Sequence, residues 1–240
     1  MGACKEQNYC AYQNTDVFTD ETFQLLKDIM YSQKIEKDQY LFLDDDTANK
    51  LYYVKHGQIK ITKMNEEGKE LVLYIFQDGD LIGELANSGE ARYSFSAKAA
   101  RDTEVGVIQQ KDLETLIWQH GNVAVEFMRW MGIMHKITRS KFRDLMLYGK
   151  NGALCSTLIR LSNSYGRMTA DGIVLSNKFT NTELAELVGT SRETVNRMLS
   201  QLKKENVIKT NKDGTIVIAD LAFLKEACHC EDCPKEICRV

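Results

Sequence analysis

The chain holds one proline, Pro234, in 240 residues, and four histidines. So little proline excludes proline-rich linkers and low-complexity tethers. The histidines, His56, His120, His135 and His229, are scattered, with no His-x-His pair on a strand. The imidazole cluster of a cupin-type jelly-roll enzyme therefore has no source, and no Ser-His or Cys-His nucleophile arrangement can be inferred. No enzyme is expected. No apolar run approaches the ~20 residues of a bilayer crossing, and no secretory leader is visible, so a soluble, cytoplasmic protein without a membrane partner is expected. A general excess of basic charge is also missing: 31 Lys and Arg face 34 Asp and Glu, a net charge of -3. Any surface for nucleic acid must then be local. Seven cysteines, an odd count without a leader, argue against a disulfide framework.

What is present is a globular composition, 43% hydrophobic and 27% charged, in a chain long enough for two ordinary domains. Residues 1–19 are polar with little periodicity and read as an N-terminal arm. An apolar pattern from Phe23 to Ser32 predicts a short helix. Over 35–109, Ile59, Ile61, Val72, Tyr74 and Phe76 alternate with polar neighbours, while Gly57, Gly68, Gly79 and Gly83 recur at hairpin spacing. Short strands with such turns predict an all-β roll or barrel, closed by a strand at Glu104–Ile108, in a domain spanning 20–110. Residues 111–150 switch to a helical period. Phe127, Met131, Met134, Ile137, Phe142 and Leu145 recur three to five residues apart between Asn122 and Tyr148, about four heptads of amphipathic helix. A roll offers too little surface to bury that stripe, so a second copy of the chain is the expected partner.

Residues 151–222 predict a small domain of three helices and a hairpin. Leu154, Leu158 and Leu161 mark one helix, Glu183–Val188 a second ending at Gly189, and Ser191–Lys204 a third. Val207–Lys209 and Thr215–Ile218 form a hairpin turned at Asp213-Gly214. The stretch Thr182–Leu199 has the physics of a helix-turn-helix. Ala185 permits close helix packing, Gly189 supplies the tight turn and Ser191 caps the next helix. Val195 and Leu199 face inward, whereas Arg192, Glu193, Asn196 and Arg197 project outward. Arginine binds guanine bidentately and glutamate accepts from cytosine, so this face suits a major groove. Thr190 and Ser191 at the helix start suit phosphate contacts. Residues 190–204 set four basic side chains against one glutamate, a local positive patch in an acidic chain.

The tail, 223–240, carries the remaining signal. Four cysteines, Cys228, Cys230, Cys233 and Cys238, fall in a C-x-C-x2-C-x4-C run. Clustered thiolates select zinc, copper(I) or iron–sulfur clusters, and spacing alone does not separate a structural Cys4 zinc site from an iron–sulfur site. Cys155 lies in an apolar helix pattern and reads as a buried core thiol.

A β-roll, a long dimer helix and a C-terminal winged helix-turn-helix together resemble the CRP/FNR family of bacterial transcription regulators, over roughly residues 20–220. The most specific piece is Ser191-Arg192-Glu193-Thr194-Val195-Asn196-Arg197. The resemblance implies an α+β fold: a cyclic-nucleotide-binding-like β-roll, a dimerisation helix and a winged helix-turn-helix. It implies a homodimer that binds a TGTGA…TCACA-like palindrome in double-stranded DNA through Arg192, Glu193 and Arg197, and that contacts RNA polymerase. The family's nucleotide cassette is only half present. Gly83-Glu84-Leu85 stands, but Arg92-Tyr93-Ser94-Phe95-Ser96 occupies the place of Arg-Ser-Ala, leaving Glu84 and Arg92 as a degenerate pocket. The tail resembles the Gram-positive branch of FNR regulators, which binds a [4Fe-4S] cluster through a terminal C-x2-C-x4-C. Cys230, Cys233 and Cys238 match that spacing. The branch takes its fourth ligand from an aspartate on the dimer helix, and the matching position is Asp144. Cys228 and His229 are rival fourth ligands. The function implied is oxygen-responsive control of anaerobic gene expression. A CRP-like regulator controlled by a cyclic nucleotide or stabilised by structural zinc is the alternative.

Overall fold

The computed structural model describes residues 12–84 and 91–240. They form two compact units, 13–134 and 135–240, the second including Tyr12. Cys4, Cys10 and Leu85 lie outside the described residues.

The first unit begins with α1 (Asp20–Asp28) and continues through β1 (Tyr31–Ile35), β2 (Tyr40–Phe42), β3 (Lys50–His56), β4 (Gln58–Met64), β5 (Glu70–Gln77), β6 (Leu81–Ile82), β7 (Ser96–Ala99) and β8 (Thr103–Gln109). The helix α2 (Gln110–Gln119) and the start of α3 (Gly121–Tyr165) follow. The strands make two antiparallel four-stranded sheets, ordered β1-β8-β3-β6 and β2-β7-β4-β5. Alternate residues of both sheets point between them: Val54, Ile59, Ala97, Ala99, Val105 and Val107 are completely buried in one cluster. A second cluster packs α1, α2 and α3 against the roll through Leu26, Leu51, Leu113, Val123 and Phe127. The fold class read from the sequence is the one observed. One local expectation needs correction. The apolar run Phe23–Ser32 is not one helix, because Tyr31 and Ser32 pair with Val107 and Gly106 of β8 and belong to a strand. Four of the five β1 side chains are exposed, so this edge strand lacks the alternation that would have marked it. Residues 14 and 15, within the expected N-terminal arm, are bound to the roll. Asn14 donates to the Leu81 carbonyl (2.8 Å) and accepts from the Leu81 N–H (2.7 Å), closing like an extra rung on β6.

In the second unit α3 breaks at Gly149, whose backbone (φ 60°, ψ -162°) is non-helical, leaving helices over 121–148 and 150–165. That region of conformational space belongs essentially to glycine. Beyond it come β9 (Gly166–Thr169), β10 (Gly172–Leu175), α4 (Asn181–Val188), α5 (Arg192–Lys204), β11 (Ile208–Thr210), β12 (Ile216–Ile218) and α6 (Leu221–Ala227). The sheet order is β11-β12-β10-β9. The hairpin expected at Asp213-Gly214 is β11–β12. The β9–β10 hairpin and α6, which Asp220 caps by accepting from the Phe223 N–H (2.9 Å), extend the domain beyond the expected elements. One apolar cluster holds the unit together, from Leu154, Leu158 and Leu161 through Leu184, Val195 and Leu224 to Cys228 and Cys238.

Candidate DNA-reading face and cysteine site

The DNA-reading motif is built by two capped helices and a glycine turn. Thr180 and Glu183 form a reciprocal capping box at the start of α4, and Gly189 ends it in the left-handed conformation (φ 72°). Ser191 caps α5 by accepting from the Thr194 N–H (3.2 Å). Val195, Leu199 and Leu202 are buried beneath α5, while Arg192, Glu193, Asn196 and Arg197 are exposed. Among the described residues no ion pair engages Arg192 or Arg197. Asn196 accepts from the Asn181 amide (3.0 Å), which ties the reading face to α4. The backbone N–H at the start of α5 and the Ser191 hydroxyl hold the Glu193 carboxyl below its usual range, so it stays an anionic acceptor. Thr190 departs from expectation. It is 5% exposed, and its Oγ1 has no partner among the described residues. The left-handed turn at Gly189 carries it inward, so of the two residues expected at phosphate only Ser191 is at the surface.

The tail cysteines converge on the core of the same unit. Cys228 and Cys238 are buried in its apolar cluster, and Cys230 and Cys233 pack against them half-buried. Burial first, then the neighbouring thiols and Asp144, push the Cys228 thiol up to about 12. Burial likewise raises Cys238, with Arg160 opposing. Burial raises Cys155 to about 11, as befits the core thiol read from the sequence. The Cys228 thiol donates to the Lys225 carbonyl (3.7 Å), and the ring of His229 stacks on Tyr148.

Asp144 is not the solvated carboxylate that a mid-helix position would ordinarily hold; it is 2% exposed. Arg143 donates twice to its Oδ1 (3.0 and 2.7 Å). The Ser156 hydroxyl and Arg160 (2.9 Å) both donate to its Oδ2. Arg160 also donates to Ser140 Oγ (3.1 Å) and to the Ile237 carbonyl (3.3 Å), next to Cys238. Arg143 pairs in addition with Glu231, inside the cysteine run, and Lys225 pairs with Asp232. Asn163 fixes the Cys238 carbonyl (2.7 Å). Sequence reasoning passed over Arg143, Ser156, Arg160 and Asn163. The one available signal was Arg160, a charge inside the apolar run Leu158–Leu161. Among the described residues no three His, Cys, Asp or Glu side chains stand close enough to hold one metal ion. The donors suit a soft metal in kind, since four thiols share one apolar seat with a carboxylate in electrostatic reach. The carboxylate, however, is fully engaged by its own donors.

In the roll, Glu84 accepts from the Ser94 N–H (3.1 Å) and hydroxyl. Arg92 is exposed and held by Asp45, donating to its carbonyl (2.7 Å). Tyr93 is buried, its ring stacked 3.7 Å from that of Phe42 and its hydroxyl donating to the Lys50 carbonyl. Glu84 and Arg92 are thus each tied to local partners rather than brought together by any contact.

A β-roll followed by a long helix and a winged helix-turn-helix with a free basic face defines a DNA-binding regulator. Residues 32–120 match the cyclic nucleotide-binding domain and residues 152–227 the Crp-like helix-turn-helix domain. The chain belongs to the CRP/FNR family of transcription regulators, which are not enzymes. It is 42% identical to the "Anaerobic regulatory protein" of Bacillus subtilis, over 95% of this chain and 96% of that one. It is 30% identical to the "cAMP-activated global transcriptional regulator CRP" of Salmonella typhimurium, over 83% and 95%. A CooA variant from Carboxydothermus hydrogenoformans shares the fold at a TM-score of 0.75 and 20% identity, over 92% of this chain and 98% of that one. No helix among the described residues is long and apolar enough to cross a membrane.

Proposed function

We propose that this regulator is a cytoplasmic homodimer controlling anaerobic gene expression. In this reading it binds a TGTGA…TCACA-like palindrome and responds to oxygen through a [4Fe-4S] cluster held by Cys230, Cys233, Cys238 and Asp144. The observation that carries the reading is the seating of the cysteine run. Ion pairs from Arg143 and Lys225 tie its loop down, Asn163 and Arg160 hold the backbone at 237–238, and all four thiols press against the DNA domain's own core. The relative named as an anaerobic regulator supports it. When bound, such a cluster supplies an oxygen-labile centre, and a corner on a hard carboxylate is easier to lose than one on thiolate.

The chain's residues supply the rest. Val125, Met128, Met131, Phe142, Leu145 and Met146 are exposed along 121–148, an apolar stripe suited to the same helix of a second copy. Two α5 helices set about one DNA turn apart, ~34 Å, would enter successive major grooves. Arg192 and Arg197 would then take guanines and Glu193 a cytosine. Contact with RNA polymerase follows from the family resemblance. A zinc-stabilised regulator is the second reading, favoured by Cys228, a fourth thiol buried beside the other three. Tyr93 packed into the roll and Arg92 held by Asp45 disfavour a cyclic nucleotide as the signal.

The test is anisotropy of a labelled palindromic duplex titrated with anaerobically purified protein, before and after air. Tight, half-site-dependent binding that air abolishes and a cyclic nucleotide leaves unchanged is the expected result. Equal binding in both states would contradict oxygen control.

A further inference from the structure

Two asparagines meet where α4 and α5 come together at the reading face. Asn181 is the first residue of α4, and the capping box of Thr180 and Glu183 fixes the backbone around it. Its Nδ2 donates to Asn196 Oδ1 (3.0 Å) on α5. Asn196 lies one turn beyond Arg192, and both side chains are exposed. Its backbone is held from below by the buried neighbours Val195 and Leu199, and its carbonyl accepts from the Ser200 hydroxyl (2.7 Å). An exposed asparagine ordinarily turns its amide over, because that terminal torsion is broad and two-fold. It then offers either a carbonyl acceptor or an NH2 donor pair to a ligand. The hydrogen bond from Asn181 removes this choice. With Oδ1 turned to α4, the NH2 group of Asn196 is left for the outer side, and no acceptor takes it among the described residues.

We propose that Asn181 is a positioning residue that locks the Asn196 amide with its donors toward the major groove, so that Asn196 selects a base edge made of acceptors. The inference rests on the reading of α5 as the helix that enters the groove. There guanine shows two acceptors, N7 and O6, and thymine one, O4, whereas cytosine shows only its N4 donor. Adenine shows an acceptor beside a donor, and asparagine satisfies both only by giving its carbonyl to the adenine amino group. That carbonyl is committed to Asn181. The base facing Asn196 is therefore guanine or thymine, with adenine poorer and cytosine poorest. This selection adds to the contacts of Arg192, Glu193 and Arg197, and Asn181 acts on it only through Asn196.

The experiment is a competition titration of full-length, anaerobically purified protein against palindromic duplexes in which each half-site position is varied through the four bases. Wild type is compared with Asn196→Ala, Asn181→Ala and Asn181→Asp; the two substitutions of Asn181 guard against one that folds poorly. At one position wild type should favour guanine or thymine over cytosine by roughly threefold to tenfold, and Asn196→Ala should level that position alone. Asn181→Ala frees the amide to turn, so adenine should gain there while the other positions keep their ranking. Asn181→Asp puts an acceptor where the donor stood. Its carboxylate takes the Asn196 NH2 group and turns the carbonyl to the groove, so the preference should move to cytosine or adenine, with weaker binding overall from the added negative charge. A residue that merely packed α4 on α5 would change affinity for every duplex alike. Identical base profiles for wild type and Asn196→Ala overturn base selection by Asn196. Wild-type profiles in both Asn181 variants overturn the lock. Wild type without preference at any position overturns the groove reading itself, a failure that shows before any variant is compared.

Discussion

Arg197 and Glu193 carry recognition in this account, and both project from a helix whose other face is buried by Val195, Leu199 and Leu202. Truncating Arg197 to alanine removes a bidentate contact without touching the core. Discrimination between the palindrome and a scrambled duplex should fall by roughly tenfold to a hundredfold, with the melting temperature unchanged. A competition titration checks it; equal discrimination would mean that Arg197 does not meet a base. Asp144 illustrates how far a single residue can be read in a sequence. Its type and its place on a helix were legible, but its burial was not, because the donors that bury it come from Arg143, Ser156 and Arg160. Of these only Arg143 is a sequence neighbour. Removing Asp144 alone leaves the nearly dry Arg160 guanidinium without its carboxylate, a change that typically costs about 3–5 kcal/mol. Asp144→Ala should therefore lose both stability and oxygen-sensitive DNA binding, read by denaturant titration and anisotropy. Oxygen-sensitive binding retained in that variant would remove the aspartate from the switch.

At the scale of elements, periodicity decided what could be read. α4, α5 and the β11–β12 hairpin announce themselves through a capping residue, a glycine turn and Asp-Gly, all local chemistry. β1 does not, because an edge strand with four exposed side chains has no alternation, and its place is set by partners on β8 far along the chain. α6 is short and runs into the cysteines, whose spacing attracts the eye first. The break in α3 falls at Gly149, between an amphipathic stripe and an apolar helix. Its conformation, φ 60° and ψ -162°, suits glycine alone. Gly149→Ala should be destabilised by about 1–3 kcal/mol, although a Cβ there meets no atom within 4 Å. The strain would be relieved by straightening the helix, so circular dichroism should show a gain in helix together with the lower melting temperature. An unchanged protein would mean that the bend is not fixed by the backbone at this position.

The whole molecule has a net charge of -3, so its DNA binding depends on basic side chains concentrated on α5, and in the dimeric reading that helix would be presented twice. Duplication depends on the exposed stripe along 121–148, where Phe142 is 65% and Met128 58% exposed in the single chain. Charge placed in that stripe should separate the copies. Phe142→Glu is expected to sediment as a monomer at micromolar concentration and to lose the palindrome while keeping its melting temperature. A dimeric Phe142→Glu protein would move the interface elsewhere. What the tail cysteines hold decides whether oxygen can be the signal. Iron and acid-labile sulfide should be counted in anaerobically purified protein, and its visible spectrum followed as air is admitted. About four irons and four sulfides per chain, with absorbance that bleaches in air, is the result this account predicts. Zinc in their place, or no metal at all, would contradict it.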